Sequence, residues 1–201
     1  MAQRRVRKHV NPLSILHEVH FEGFENNNPL WMDIGACKGE FTKALAQKFP
    51  EKNFIACEIR KPLQKKLEVL YADDDNVVVF DGDAGKNFKT MLAPSFKRGV
   101  KLEKVFINFP DPWFKDRHKK RRFVNAKFLE DIKDFVDETT EFIFQTDQEF
   151  LFHETIEVLQ DSAFSSITYF DESPFGVQTD WESAKVKEGN KIWRMVFKKQ
   201  S

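Results

Sequence analysis

Five short apolar runs, each closing on a polar residue or a glycine, alternate with segments whose apolar residues recur at helical period. Strands joined through helices run parallel, and the helices then cover both faces of the sheet. The runs occupy residues 29–35, 53–59, 77–80, 104–108 and 141–144. Residues 40–49 place Phe41, Ala44, Leu45 and Phe49 on one side of a helix. Residues 61–71 do the same with Leu63, Leu67 and Leu70, and Pro62 falls in the first turn, where proline is tolerated. A weak helix is expected over 85–93 and another over 124–136. Thr146 and Asp147 are expected to cap a helix over 148–159. Two closing strands, 165–170 and 191–198, form a hairpin. The expected class is α/β, a mostly parallel seven-stranded sheet with a C-terminal antiparallel hairpin and helices on both faces.

Ligands of such sheets sit beyond the C-terminal strand ends. The acids collect there: Asp33 beside Gly35, then Glu58, Asp83, Asp111 and Asp147. Gly35 and Gly39 bracket the first strand-to-helix turn, which lets backbone approach a ligand closely. A carboxylate ending the second strand can accept both hydroxyls of an adenosine ribose, which suits Glu58, with Arg60 beside it. A dinucleotide would need the tighter GxGxxG turn for its pyrophosphate. S-adenosylmethionine carries no phosphate and tolerates a looser turn. Asp33 suits its methionine ammonium, and Asp83 with the backbone of Ala84 suits its adenine. S-adenosylmethionine is therefore the expected cofactor.

The fourth run opens into NFPDPWFKDRHKKRR at 108–122. Pro110 and Pro112 hold Asp111 on a stiff turn. Trp113 and Phe114 follow, and then Lys115, Arg117, His118, Lys119, Lys120, Arg121 and Arg122, opposed only by Asp116. Overall charge is zero, so the cations are segregated, as polyanion-binding proteins segregate them. A basic arm over 1–28, with Arg4, Arg5, Arg7 and Lys8, precedes a single domain over 29–201. No apolar run approaches the roughly 18 residues that span a membrane, and the basic start lacks the apolar stretch of a secretory signal. Cys37 and Cys57 lack metal-ligand spacing and read as reduced thiols of a cytoplasmic protein. The histidines show no ligand spacing, so no metal is assigned.

The run INFPDPWFKDRHKKRR at 107–122 resembles the signature of the tRNA (guanine-N7-)-methyltransferases. DIGACKGEF at 33–41, CEIR at 57–60, GDA at 82–84, FQTDQEF at 144–150 and QTDWE at 178–182 extend the resemblance over roughly residues 30–198. It implies a Rossmann-like class I S-adenosylmethionine-dependent methyltransferase that forms N7-methylguanosine at position 46 of the tRNA variable loop. It implies that Asp33, Gly35, Glu58, Arg60, Asp83 and Ala84 line the cofactor pocket, with Asp111 the active-site acid beside it. It implies that Lys115, Asp147, Thr179 and Glu182 contact tRNA, alongside the cations at 117–122. Cys37 stands where the family usually has glycine, Gln148 where it often has tryptophan, and Asp180-Trp181 where it often has Lys-Phe.

Guanine N7 bears a lone pair and no proton, so methylation there needs positioning more than a base. Asp111 would accept from guanine N1–H and N2–H, with Glu182 sharing the task, and Trp113, Phe114 and Trp181 are stacking candidates. The residues leave two alternatives: methylation of an exocyclic base amine, and a non-catalytic RNA-binding subunit on the same fold. The family includes enzymes that pair with a β-propeller subunit; the short chain favours a stand-alone monomer or homodimer.

Overall fold

The computed structural model describes residues 22–201. Arg4, Arg5, Arg7 and Lys8 lie outside the described residues. Seven strands form one sheet: β1 (Leu30–Ile34), β2 (Asn53–Glu58), β3 (Val77–Asp81), β4 (Leu102–Asn108), β5 (Glu141–Thr146), β6 (Ser166–Tyr169) and β7 (Trp193–Lys198). Their order is β3-β2-β1-β4-β5-β7-β6. The first five pair in parallel, and β7 runs antiparallel between β5 and β6. The strand order reverses between β1 and β4, which is where such sheets open a ligand crevice.

Strand parity divides the core. Met32, Ile55, Val105, Phe142 and Phe197 face one side. Helices α3 (Ala84–Lys97), α4 (Ala126–Ile132) and α5 (Glu149–Gln160) cover them with Met91, Leu129, Phe152 and their neighbours. Trp31, Phe54, Phe106 and Ile143 face the other side, under α1 (Glu40–Lys48) and α2 (Lys61–Leu70). Asp33, Glu58, Asn108, Gln145 and Arg194 share the parity of this second face. Polar groups therefore enter an otherwise apolar layer in neighbouring strands.

Several boundaries differ from the sequence reading. The weak helix is fourteen residues long and passes through Pro94, because burial of Phe88, Met91 and Leu92 outweighs one missing backbone hydrogen bond. The helix expected over 124–136 is only Ala126–Ile132, capped by the Asn125 side chain, which accepts from Phe128 N–H. Asp147 does not cap α5. Gln148 occupies the cap position without a side-chain cap bond, and the Thr146 hydroxyl accepts from its N–H. The closing strands do pair antiparallel, but they are joined through a further helix, α6 (Asp180–Lys187), rather than a tight turn. Only Glu182 of that helix is buried, so no apolar period marks it in the sequence. Residues 24–28, read as part of the arm, are tied to the domain. Phe24 joins the core, Arg98 donates to the Phe24 and Glu25 carbonyls, and Asn53 donates to the Asn26 side chain.

Gly39 caps α1 at φ 88°, against α2. A Cβ there would meet the Tyr71 hydroxyl at 2.4 Å and Leu67 at 2.6 Å. The Tyr71 hydroxyl donates to the Gly39 carbonyl at 2.7 Å. Gly39→Ala is expected to lower stability by about 1–3 kcal/mol through overpacking and a left-handed alanine. A denaturant midpoint that falls at constant slope will show it.

Candidate active site

Asp111 sits where β4 leaves the sheet. The Phe109 N–H donates to the Gln145 carbonyl at 2.8 Å, so the chain is held to β5 for one residue beyond β4. Phe109 and Trp113 both adopt left-handed backbone, at φ 49° and 46°, on either side of the Pro-Asp-Pro turn. Such conformations cost of order 1–3 kcal/mol each and persist only where the surroundings enforce them. Arg122 is the enforcing group. Its Nε donates to the Pro112 carbonyl at 2.8 Å and its Nη2 to the Trp113 carbonyl at 3.3 Å. It also forms an ion pair with Glu154 and lies 5.3 Å over the Phe150 ring. Arg122 is 7% exposed.

The cationic run is therefore not uniform. Arg122, expected among the tRNA contacts, is a buried brace, because α5 supplies both its acid and the ring it covers. Lys119 sits between Asp116 and Glu154, at 3.4 and 3.2 Å. Arg121 stacks 5.0 Å over Trp113 and lines the cleft, and His118 meets the same ring edge-on. Lys115, Arg117 and Lys120 are exposed and form no ion pair among the described residues.

One cleft at the reversal point gathers Gly35, Glu58, Arg60, Asp83, Ala84 and Asp111. Gly35 has φ 81°, and a Cβ there would meet nothing within 4 Å, so its face is open. Cys37 is also left-handed, at φ 56°, which is the conformation glycine would take without strain. Its N–H donates to Glu58 Oε2 at 3.1 Å. Arg60 donates to Glu58 Oε1 through its backbone N–H at 2.8 Å and Nε at 2.9 Å, and to Oε2 through Nη2 at 2.8 Å. Each oxygen of this buried carboxylate already accepts two hydrogen bonds. Asp83 caps α3, Oδ1 accepting from Lys86 N–H at 3.0 Å.

Asp33 lies beneath the Gly35 turn, 4% exposed. The Thr42 hydroxyl donates to its Oδ2 at 2.7 Å. Burial raises its pKa from 3.8 to about 6, and the charge of Glu58 adds to the rise, while the hydrogen bond from Thr42 opposes it. Among the described residues no cation pairs with it.

The remaining expected residues stand apart from the cleft lining. Thr179 caps α6, its Oγ1 accepting from Glu182 N–H at 3.0 Å. Glu182 is fully buried and paired with Arg194 at 2.7 Å. Asp147 is half-buried beside α6. Lys185 has a raised pKa, mainly through its hydrogen bond to Glu188, and Asp147 contributes to the rise. Asp180 pairs with Lys38 at 2.6 Å across the surface. Asn108, Gln145 and Arg194 were not expected; the signal available was a polar side chain inside each of three apolar strands.

A family model described as "Putative methyltransferase" matches residues 27–195. A tRNA (guanine-N(7)-)-methyltransferase of Trichormus variabilis is 31% identical over 98% of this chain and 97% of its own. That of Synechococcus elongatus is 31% identical over 100% and 99%. The chain belongs to the tRNA (guanine-N7-)-methyltransferase family. Among solved structures, the 16S rRNA methyltransferase KamB superposes with a TM-score of 0.59 at 11% identity, over 86% of this chain and 88% of that one. Human methyltransferase-like protein 13, in complex with SAH, gives 0.57 at 13%, over 86% and 72%. These likenesses establish the Rossmann-like class I methyltransferase fold of this family member. Within it, the structure joins the DIGACKGEF, CEIR, GDA and FPDPW segments in one cleft.

Two outcomes are expected. Arg122→Met should destabilise by about 2–4 kcal/mol, because it leaves two carbonyls without their donor and Glu154 with Lys119 alone, whereas Arg117→Ala should stay within about 0.5 kcal/mol. Chemical denaturation separates them. Between about pH 4 and 6 folded Asp33 keeps a proton that unfolded Asp33 has lost, so stability falls as pH rises through that window, by at most about 3 kcal/mol. Asp33→Asn should flatten this fall and exceed the parent in stability at pH 8, read from denaturant midpoints across pH.

Proposed function

We propose that this protein methylates guanine N7 in tRNA, using S-adenosylmethionine. The observation that carries the reading is the single cleft that joins the Gly35 and Asp83 turns on one side to the Asp111 turn on the other. The cofactor residues fit on physical grounds. A buried carboxylate with no cation partner among the described residues suits a ligand ammonium, and the open face of Gly35 suits close contact with a ligand. Asp33 would hold the methionine ammonium, Glu58 the ribose hydroxyls, and Asp83 with Ala84 the adenine. S-adenosylmethionine, when bound, supplies an electrophilic methyl group. Glu58 is saturated by Arg60 and Cys37, so ribose hydroxyls must displace part of the Arg60 fork.

On the substrate side, N7 needs no deprotonation, and the residues act by holding the base. Asp111 accepts from guanine N1–H and N2–H and offsets the positive charge that develops on the ring. Glu182, buried on Arg194, supports this side by anchoring α6, whose cap Thr179, with Asp147 nearby, is offered to the tRNA. Phe114 and Trp181, 69% and 54% exposed, are available for stacking. Lys115, Arg117 and Lys120 meet phosphates, with Arg121, His118 and Lys119 closer to the turn. Arg122 serves this surface indirectly, by fixing the turn.

Labelled methyl transfer from S-adenosylmethionine to unfractionated tRNA by the purified single chain tests the reading, with nucleoside identification. Labelled N7-methylguanosine would establish reaction and self-sufficiency together; an N2- or N6-methylated nucleoside, or no transfer, would overturn it. Asp111→Ala should lower kcat about a hundredfold or more while tRNA binding persists. Replacing Lys115, Arg117 and Lys120 by Gln should reduce the salt dependence of tRNA binding by about two in log–log slope.

A further inference from the structure

A row of buried polar side chains crosses the sheet beside the cleft. Asn108, Gln145 and Arg194 occupy opposed register positions on β4, β5 and β7. Gln145 Nε2 donates to Asn108 Oδ1 at 2.7 Å. Arg194 Nε donates to Gln145 Oε1 at 2.8 Å, and Arg194 Nη2 to Glu182 Oε1 at 2.7 Å. Arg194 Nη1 donates to the Asp171 carbonyl at 2.7 Å, and the Ser173 hydroxyl donates to Glu182 Oε1. Gln145 and Glu182 are fully buried, and Arg194 is 8% exposed.

Glu182 Oε1 is thus held by two donors. Its other oxygen, Oε2, is equally buried and accepts no hydrogen bond among the described residues. A buried carboxylate oxygen without a donor costs more than an unpaired neutral group does. It persists because Arg194 fixes the other oxygen and neutralises the charge. At the far end of the row, Asn108 is one residue from the left-handed Phe109 and three from Asp111.

We propose that Arg194 and Gln145 are positioning residues for methyl transfer: they hold the buried Glu182 carboxylate and, through it, the Thr179-capped first turn of α6 in register with the Asp111 turn. This rests on the role given to Glu182 above. The two acids come from α6 and from the turn after β4, and no direct contact between them is needed. The planar Arg194 fork bonds Gln145, Asp171 and Glu182 at once, a geometry a lysine ammonium cannot reproduce. Phosphate affinity resides in other residues, so the loss should fall on kcat.

The test uses the full chain, labelled S-adenosylmethionine and unfractionated tRNA. Arg194→Met and Gln145→Met should each lower kcat about tenfold or more and leave KM for tRNA within about threefold. The affinity and stoichiometry of S-adenosylmethionine binding by calorimetry should not change, whereas a merely structural defect would lower the stoichiometry. Arg194→Met strands a buried acid and is expected to melt lower; adding Glu182→Gln should restore the melting temperature. The double variant should then be no less active than Glu182→Gln alone, because Arg194 acts through Glu182. Arg194→Lys should recover part of the Arg194→Met loss. A folded double variant whose loss equals the product of the single losses would overturn the proposal, as would full activity in folded Gln145→Met. An active parent with these variants unimpaired sinks the positioning role alone; an inactive parent sinks the functional reading beneath it.

Discussion

β1 lies parallel to β4, with Asp33 opposite Phe106 and Ile34 opposite Ile107, and the ladder of hydrogen bonds between them is buried on both faces. Neighbouring strands are about 4.8 Å apart, so this pairing brings the turn after β1 and the turn after β4 to one edge as immediate neighbours. β2 and β3 extend to one side of the pair and β5 to the other. The cleft exists because the strand order reverses there. A slip of one residue between β1 and β4 would turn Asp33 onto the opposite face and separate it from Asn108.

Charge is buried here under strict conditions. Arg122 meets Glu154 and two carbonyls, Arg60 meets Glu58, and Arg194 meets Glu182. Each arginine uses the planar fork to satisfy several acceptors at once, which is what makes a desolvated ion tolerable. Asp33 is different. Its carboxylate has the Thr42 hydrogen bond but no counter-ion among the described residues, and its proton affinity rises accordingly. A protein that carries such a group loses stability at neutral pH and gains a place where a ligand cation is favoured.

Backbone strain follows the same geography. Of the four described non-glycine residues that are left-handed, Cys37, Phe109 and Trp113 belong to the turns that frame the cleft, and the fourth, Phe175, packs against Trp31 and Phe49 away from it. Tertiary contacts hold the first three: Glu58 accepts from the Cys37 N–H, β5 accepts from the Phe109 N–H, and Arg122 binds the carbonyls of Pro112 and Trp113. The turn that carries Asp111 is stiff because of its prolines, and it is oriented because of an arginine ten residues later.

The strands, the helices on α1 and α2, the rim of acids and the FPDPW turn were legible in the sequence. Each is written in local signals: period, proline, glycine, and the place where an apolar run stops. Those signals determined the fold class and brought Gly35, Glu58, Asp83 and Asp111 to one edge. Local signals could not show that Arg122 is a brace, since its acid comes from α5. They could not show that Glu58 is already saturated, or that Glu182 is held by Arg194 with one oxygen left over. α6 was missed because its only buried residue is an acid. A sequence records which side chains can pair, but desolvation decides which of them must. Desolvation depends on strand register and helix docking between residues far apart in the chain, and only the tertiary structure sets those.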